Sequence, residues 1–130
     1  MTSVPQWLDE IVRTFASGFG LEKFALNEDG VASLAFENGV TFRLEWAFDS
    51  LTLAMCAEPP RNPADVRVLL SSADPLRRGA FQVRAGTLGN PPRAVMAVRL
   101  EAAEITLGNL EGAMTELWRT VENYRRRLGA

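Results

Sequence analysis

The apolar positions at the start of the chain recur at steps of three and four: Val4, Trp7, Leu8, Ile11, Val12, Phe15 and Phe19. That period predicts an amphipathic helix. Ser3 and Gln6 have the spacing of a capping box, Pro5 is tolerated in a first turn, and Gly18 and Gly20 end the helix. From Phe24 the period changes to two, with Phe24 and Leu26 alternating with Ala25 and Asn27. Val31 to Phe36 lies between two turn signals, Asp29-Gly30 and Asn38-Gly39. Thr41 to Phe48 sets Phe42, Leu44, Trp46 and Phe48 on one face and Thr41, Arg43 and Glu45 on the other, a half-buried strand with one wet side. Asp49-Ser50 turns the chain into Leu51 to Cys56. Leu21 to Ala57 therefore reads as an antiparallel meander of three or four strands.

Glu58-Pro59-Pro60-Arg61-Asn62-Pro63 is the clearest break in the pattern, a loop within one domain, since neither side could bury a full core alone. Asn62 is a candidate N-cap with Pro63 at the first helical position. Val66, Val68, Leu69 and Leu70 then give a short helix apolar on several sides, which needs partners on several sides: its own sheet and, as one option, a second subunit. Asp74-Pro75 stops it. Phe81, Val83 and Ala85 alternate with Gln82 and Arg84 as a further strand, and Gly86 to Pro92 is a turn region. Ala94 to Ala102 is apolar on both faces, which suits a central strand or one at an interface. The last element starts near Thr106, with Leu107, Leu110, Met114, Leu117, Val121, Tyr124 and Leu128 on one stripe that Trp118 widens. It reads as a helix facing a sheet rather than a coiled coil. Gly108 and Gly112 weaken its first turns. The order α-β-β-β(-β)-α-β-β-α predicts one α+β domain over residues 1–130, an antiparallel sheet flanked by helices.

Chemistry narrows the reading mainly by what is missing. The 130 residues contain no histidine, so a Ser-His-Asp triad, a Cys-His pair and a histidine metal site are excluded. No Gly-rich phosphate loop is present; Gly18-Phe19-Gly20 is a helix stop. Cys56, the one cysteine, reads as a small buried hydrophobe. No metal or cofactor is expected. The net charge of −2 gives non-specific nucleic-acid binding little support, and Arg125-Arg126-Arg127 suits the negative end of a helix dipole. No secretory leader and no apolar run of about 20 residues is present, so the expected location is the cytoplasm.

Several stretches together resemble the class I chaperones of type III secretion (the Tir-chaperone family). Trp7-Leu8-Asp9-Glu10-Ile11-Val12 to Phe15, followed by Phe19-Gly20-Leu21, is similar to that family's first helix and its exit. The Asp29-Gly30 hairpin with Val31 to Phe36 is similar to its first strands. Val66 to Ser72 resembles the short helix with paired leucines, Gly79 to Val83 the next strand, and Leu107 to Leu128 the closing helix. The likeness covers nearly the whole chain on loose hydrophobic patterns, and Ser71-Ser72-Ala73 departs from it where many relatives carry an asparagine.

The resemblance implies a non-catalytic, cytoplasmic homodimer. Its partner is a secreted effector, held in extended form through an N-terminal segment and delivered to the export apparatus, whose ATPase is a further candidate partner. No nucleic acid and no membrane insertion are implied. For dimerisation the candidates are Val66, Leu69 and Leu70, with Phe81 and Val83 beside them. For effector binding they are Trp7, Ile11 and Phe15 on the first helix and Phe42, Leu44 and Trp46 on the sheet. For each the competing role is core packing. Two other readings stand beside this one. One is a small dimeric scaffold recruiting folded partners. The other is a histidine-free small-molecule-binding or isomerase domain using Asp49 and Tyr124.

Overall fold

The computed structural model describes residues 4–73 and 81–128. The first helix, α1 (Gln6–Gly18), buries Leu8, Val12, Phe15 and Ala16 on one side and pairs Asp9 with Arg13 at 2.9 Å on the other. Its N-cap is Pro5, with no side-chain cap; Gln6 donates instead to Glu10, and Ser3, the other half of the expected box, lies outside the described residues. The helix ends in a Schellman turn. The amide of Leu21 reaches back to the Ala16 carbonyl and that of Gly20 to Ser17, with Gly20 at φ +75°. This turn throws Phe19 outward.

The expected strand at Phe24 to Leu26 is not formed. The amide of Phe24 closes a turn on Leu21, and Asn27 accepts from the amides of Asp29 and Val31, so the chain bends rather than extends. Phe24 and Leu26 are buried all the same; the Phe24 ring stacks on Phe42, centroids 5.9 Å apart.

Three antiparallel strands follow: β1 (Val31–Ala35), β2 (Thr41–Ala47) and β3 (Ser50–Ala57). After the proline break comes α2 (Pro63–Ser71), capped by Asn62 accepting from the Asp65 amide at 2.9 Å with Pro63 at its first position, as the sequence predicts. The expected stop at Asp74-Pro75 lies outside the described residues, as do Gly79 and Ala80. β4 (Arg84–Leu88) and β5 (Arg93–Glu101) form a hairpin, a short 3-10 turn (Ala102–Glu104) follows, and α3 (Leu107–Arg127) closes the chain behind a Thr106 cap. The strand predicted at Phe81 to Ala85 thus begins three residues later. Phe81 packs on α3, Val83 is buried, and the turn at 89–92 sets the register that pairs Arg84 with Ala97.

The sheet order is β1-β2-β3-β5-β4, fully antiparallel, with β5 inserted between β3 and β4. α1 and α3 cover one face. There Phe42, Leu44, Leu51, Leu53, Met55, Met96, Val98 and Leu100 meet Leu8, Val12, Phe15, Leu110, Leu117 and Val121 in one core. Removing a core phenylalanine such as Phe42 should cost about 3–5 kcal/mol. The opposite face carries Thr41, Arg43, Glu45, Thr52, Ala54, Val95 and Ala97. Cys56 sits on it half-buried, paired with Val95, rather than in the core as expected, because the strand's alternation puts Met55 and Ala57 inside.

Candidate functional site

Two features of the surface combine along β1. The first is backbone. Among the described residues β1 pairs with β2 alone, and the bonds Trp46 N–H to Gly30 O and Phe36 N–H to Val40 O set which residues face inward. By that alternation Ser33 and Ala35 turn their N–H and C=O groups to the outer edge. Val31 does the same, but its groups are taken by Asn27.

The second feature is apolar. Phe19, Phe36, Met114, Thr115 and Trp118 line a cleft of about 280 Å³. Each wall has a local cause. Phe19 is the C-cap that the Schellman turn directs outward, 46% exposed, its ring 5.2 Å from Phe15. Phe36 follows β1 where the Asn38-Gly39 turn begins. Trp118 lies one position beyond the buried Leu117 on α3 and meets Phe36 edge-on, centroids 5.3 Å apart. Beside them Leu21, Phe24 and Leu34 line a second depression of about 450 Å³.

The turn between β1 and β2 is held from both sides. Arg93 of β5 donates to the Gly39 carbonyl at 2.7 Å, and Arg125 of α3 donates to the Asn38 carbonyl at 2.9 Å while pairing with Glu58 at 2.8 Å. Of the three arginines read as suiting the helix dipole, Arg125 thus also has a tertiary role. Asp65 is buried but satisfied, accepting from the Arg61 amide. Among the described residues no three His, Cys, Asp or Glu side chains come together as a metal site, and no helix is long and apolar enough to cross a membrane. Asp49 and Tyr124 do not meet: Asp49 lies in the β2–β3 turn, and Tyr124 bonds the Glu58 carbonyl after β3.

Comparison with known proteins decides the family. The model of type III secretory system chaperone SycN matches residues 7–124. The chain belongs to this family of type III secretion chaperones. No curated protein sequence matches it significantly. The fold recurs in the crystal structure of the ExsC-ExsE complex, with a TM-score of 0.81 at 23% identity over 98% of this chain and 97% of that one. It recurs in the HopA1-SchA chaperone-effector complex, with a TM-score of 0.73 at 14% identity over 90% of this chain and 91% of that one. A third match is the Yersinia pestis chaperone SycH in complex with a YscM2 fragment, with a TM-score of 0.63 at 18% identity over 88% and 97%.

Against the chaperone fold, the residues nominated from sequence divide sharply. Phe15, Phe42, Leu44 and Trp46 are buried within the protomer, so they support the surface and do not form it. Trp7 is exposed, edge-on to Trp46 at 6.0 Å, and Ile11 is half-buried. In the second group Val66 and Leu70 are exposed, Leu70 by 57%, whereas Leu69 and Val83 are buried and Phe81 is partly covered by α3. Phe19, Phe36 and Leu88 were missed. Their signal was an apolar residue at a chain break, where a core stripe should already have stopped: Phe19 between two glycines, Phe36 before Glu37-Asn38-Gly39, and Leu88 before Gly89.

Proposed function

We propose that this chaperone holds the N-terminal segment of a secreted effector in extended form along β1, with apolar side chains of that segment in the Phe19–Phe36–Met114–Trp118 cleft. The observation that carries the reading is the adjacency of an open strand edge and an apolar cleft. Main-chain bonds to Ser33 and Ala35 supply affinity for any extended segment, and pockets for alternate side chains supply selection. The depression at Leu21, Phe24 and Leu34 would take a second apolar residue of the same segment. Ordering a flexible client costs entropy, which a long wrapped surface offsets. The fold recurs in a chain of the ExsC-ExsE complex and in one of the HopA1-SchA complex, and the latter is a chaperone-effector complex. Trp7, exposed on α1, and the half-buried Ile11 are further candidates for contact with the same client.

The working form is a cytoplasmic homodimer without catalytic activity that passes its client to the export apparatus, the ATPase of that apparatus being a further partner. Val66 and Leu70 on α2 and Leu88 on β4, the far edge of the sheet from β1, support a dimer contact there. Such a contact would leave both β1 edges free for client.

The test begins with the client recovered by affinity capture from secreting cells. Its N-terminal segment is added to the pure chaperone while amide hydrogen exchange is followed. Slowed exchange at Ser33 and Ala35 is expected. Binding with unchanged exchange at both positions would rule out strand addition at β1.

A further inference from the structure

At the tip of the β2–β3 hairpin the two turn residues are Phe48 and Asp49, at φ +53° and +57°. Left-handed backbone at both positions is the geometry of a two-residue hairpin turn that favours Asn-Gly, and a bulky aromatic is among the worst residues to place there. Sequence alternation puts Phe48 with the core side chains Phe42, Leu44 and Trp46. The structure instead leaves it 95% exposed, because the chain reverses one residue before the alternation would bury it. The turn is rigidly mounted. Ser50 donates its hydroxyl to the Ala47 carbonyl at 3.0 Å, the Asp49 carbonyl accepts from Ala102 at 2.9 Å, and β2 and β3 are both internal strands. A strained, fully solvated phenylalanine on a rigid mount has no folding rationale, and strain of this kind is retained where it serves a contact.

The surroundings define the contact's chemistry. Asp49 adjoins Phe48, Glu101 pairs across from Ser50, and Glu104 caps the Glu101 amide. Arg99 is the nearby counter-charge, 3.4 Å from Glu101. Arg84 lies further along the same depression as Arg99, Glu101 and Glu104, and at the tip itself Asp49 adds a further carboxylate, so the rim around Phe48 carries an excess of acid that disfavours anionic lipid surfaces and nucleic acid. The tip lies at the Trp46 end of β2, where Trp7 also stands, whereas the cleft that takes the client's apolar side chains sits beyond the Phe42 end, beside Phe36.

We infer that Phe48 is an anchor for a folded partner protein bearing an apolar pocket bordered by lysine and arginine side chains, a partner engaged while the client occupies β1. The inference rests on the chaperone reading above, and the test separates the two. A photoreactive benzoyl-phenylalanine is placed at position 48 and the client-bound complex is illuminated in secreting cells and in their lysate. The expected product is an adduct with a protein that is neither the chaperone nor its client, attached near a basic-rimmed apolar pocket. Its yield should fall at least about threefold as salt rises from about 0.05 M to about 0.5 M.

In parallel, Phe48→Asn, which suits the turn, should keep the Tm at or above the parent's and retain client within about twofold. It should lower client export about tenfold, the scale expected for one anchor side chain. Adducts confined to the client or to a second copy, no adduct at all, or unchanged export by Phe48→Asn would each overturn the inference. Recovery of client with the parent protein reads the chaperone function independently of any of these.

Discussion

Tyr124 donates its hydroxyl hydrogen bond to the backbone carbonyl of Glu58 at 2.8 Å, tying the last turns of α3 to the loop that leaves β3. The ring is fully buried. Burial first, and then the carboxylates of Asp65 and Glu58, push the phenol up from 10.0 to about 12. A group whose folded pKa is raised contributes stability that is complete below the unfolded value and is lost as pH rises through the folded one. Between pH 10 and about 12 stability should therefore fall, by at most about 1.4 kcal/mol per pH unit from this group. Tyr124 is the one tyrosine in the chain, so near-ultraviolet absorbance of the phenolate reports it alone. The midpoint in the folded protein should lie well above 10; a midpoint at the ordinary value would refute the burial argument. Tyr124→Phe should cost about 1 kcal/mol at neutral pH, because it leaves the Glu58 carbonyl without this donor.

The Phe81 ring occupies the space a Cβ on Gly112 would need, 2.8 Å from it, while Gly108, one turn earlier on α3, has open space around it. Helix propensity alone predicts that Gly→Ala stabilises either position by up to about 1 kcal/mol. Gly108→Ala should show that gain in denaturant unfolding. Gly112→Ala should fall short of it by about 1 kcal/mol or more, since the ring must be displaced. With Phe81→Ala in the background, Gly112→Ala should recover the ordinary gain. Equal effects of the two glycine replacements in the parent would show that Phe81 gives way freely.

Leu69 and Leu70 are neighbours in sequence with opposite roles. Leu69 points into the core and Leu70 is mostly exposed beside Val66. If α2 forms the dimer contact, Leu70→Glu should shift sedimentation from dimer to monomer while the folded protomer keeps its circular dichroism. Leu69→Ala should instead lower stability by about 2–5 kcal/mol. A dimer that survives Leu70→Glu at low micromolar concentration would move the interface away from α2.

Most of the element order was readable because period and punctuation agree. Asn62-Pro63 starts α2, Thr106 caps α3 and Asn38-Gly39 turns the chain into β2, whereas the turn read at Asp49-Ser50 falls one residue earlier, at Phe48-Asp49, with Ser50 already in β3. Sequence failed where alternation occurred without a strand partner. Phe24 and Leu26 alternate because they line the covered face from a bent loop, and Phe81 and Val83 do so because the chain passes α3 before joining the sheet. The candidate site was the least legible part. A stripe of apolar residues says that something covers it but not whether the cover is the same chain. Hence Phe15, Phe42 and Leu44 had the pattern of a binding face and proved to be core. The cleft residues Phe19, Phe36 and Trp118 come from three separate elements that only the fold brings together.

That assembly makes the cleft testable without touching the core. Thr115 lines it from an exposed position on α3, its hydroxyl donating to the Glu111 carbonyl one turn back. Arginine is a better helix former than threonine, so Thr115→Arg should leave Tm within about 2 °C of the parent. The long charged side chain would overhang an apolar cleft and compete with an entering apolar residue, lowering affinity for the client segment by about tenfold or more in calorimetric titration. Phe42→Ala makes the necessary contrast, because it should weaken binding only together with a loss of about 3–5 kcal/mol in stability. Full client affinity in a stably folded Thr115→Arg protein would mean that the segment lies elsewhere, and the α1 surface at Trp7 and Ile11 would be the next place to look.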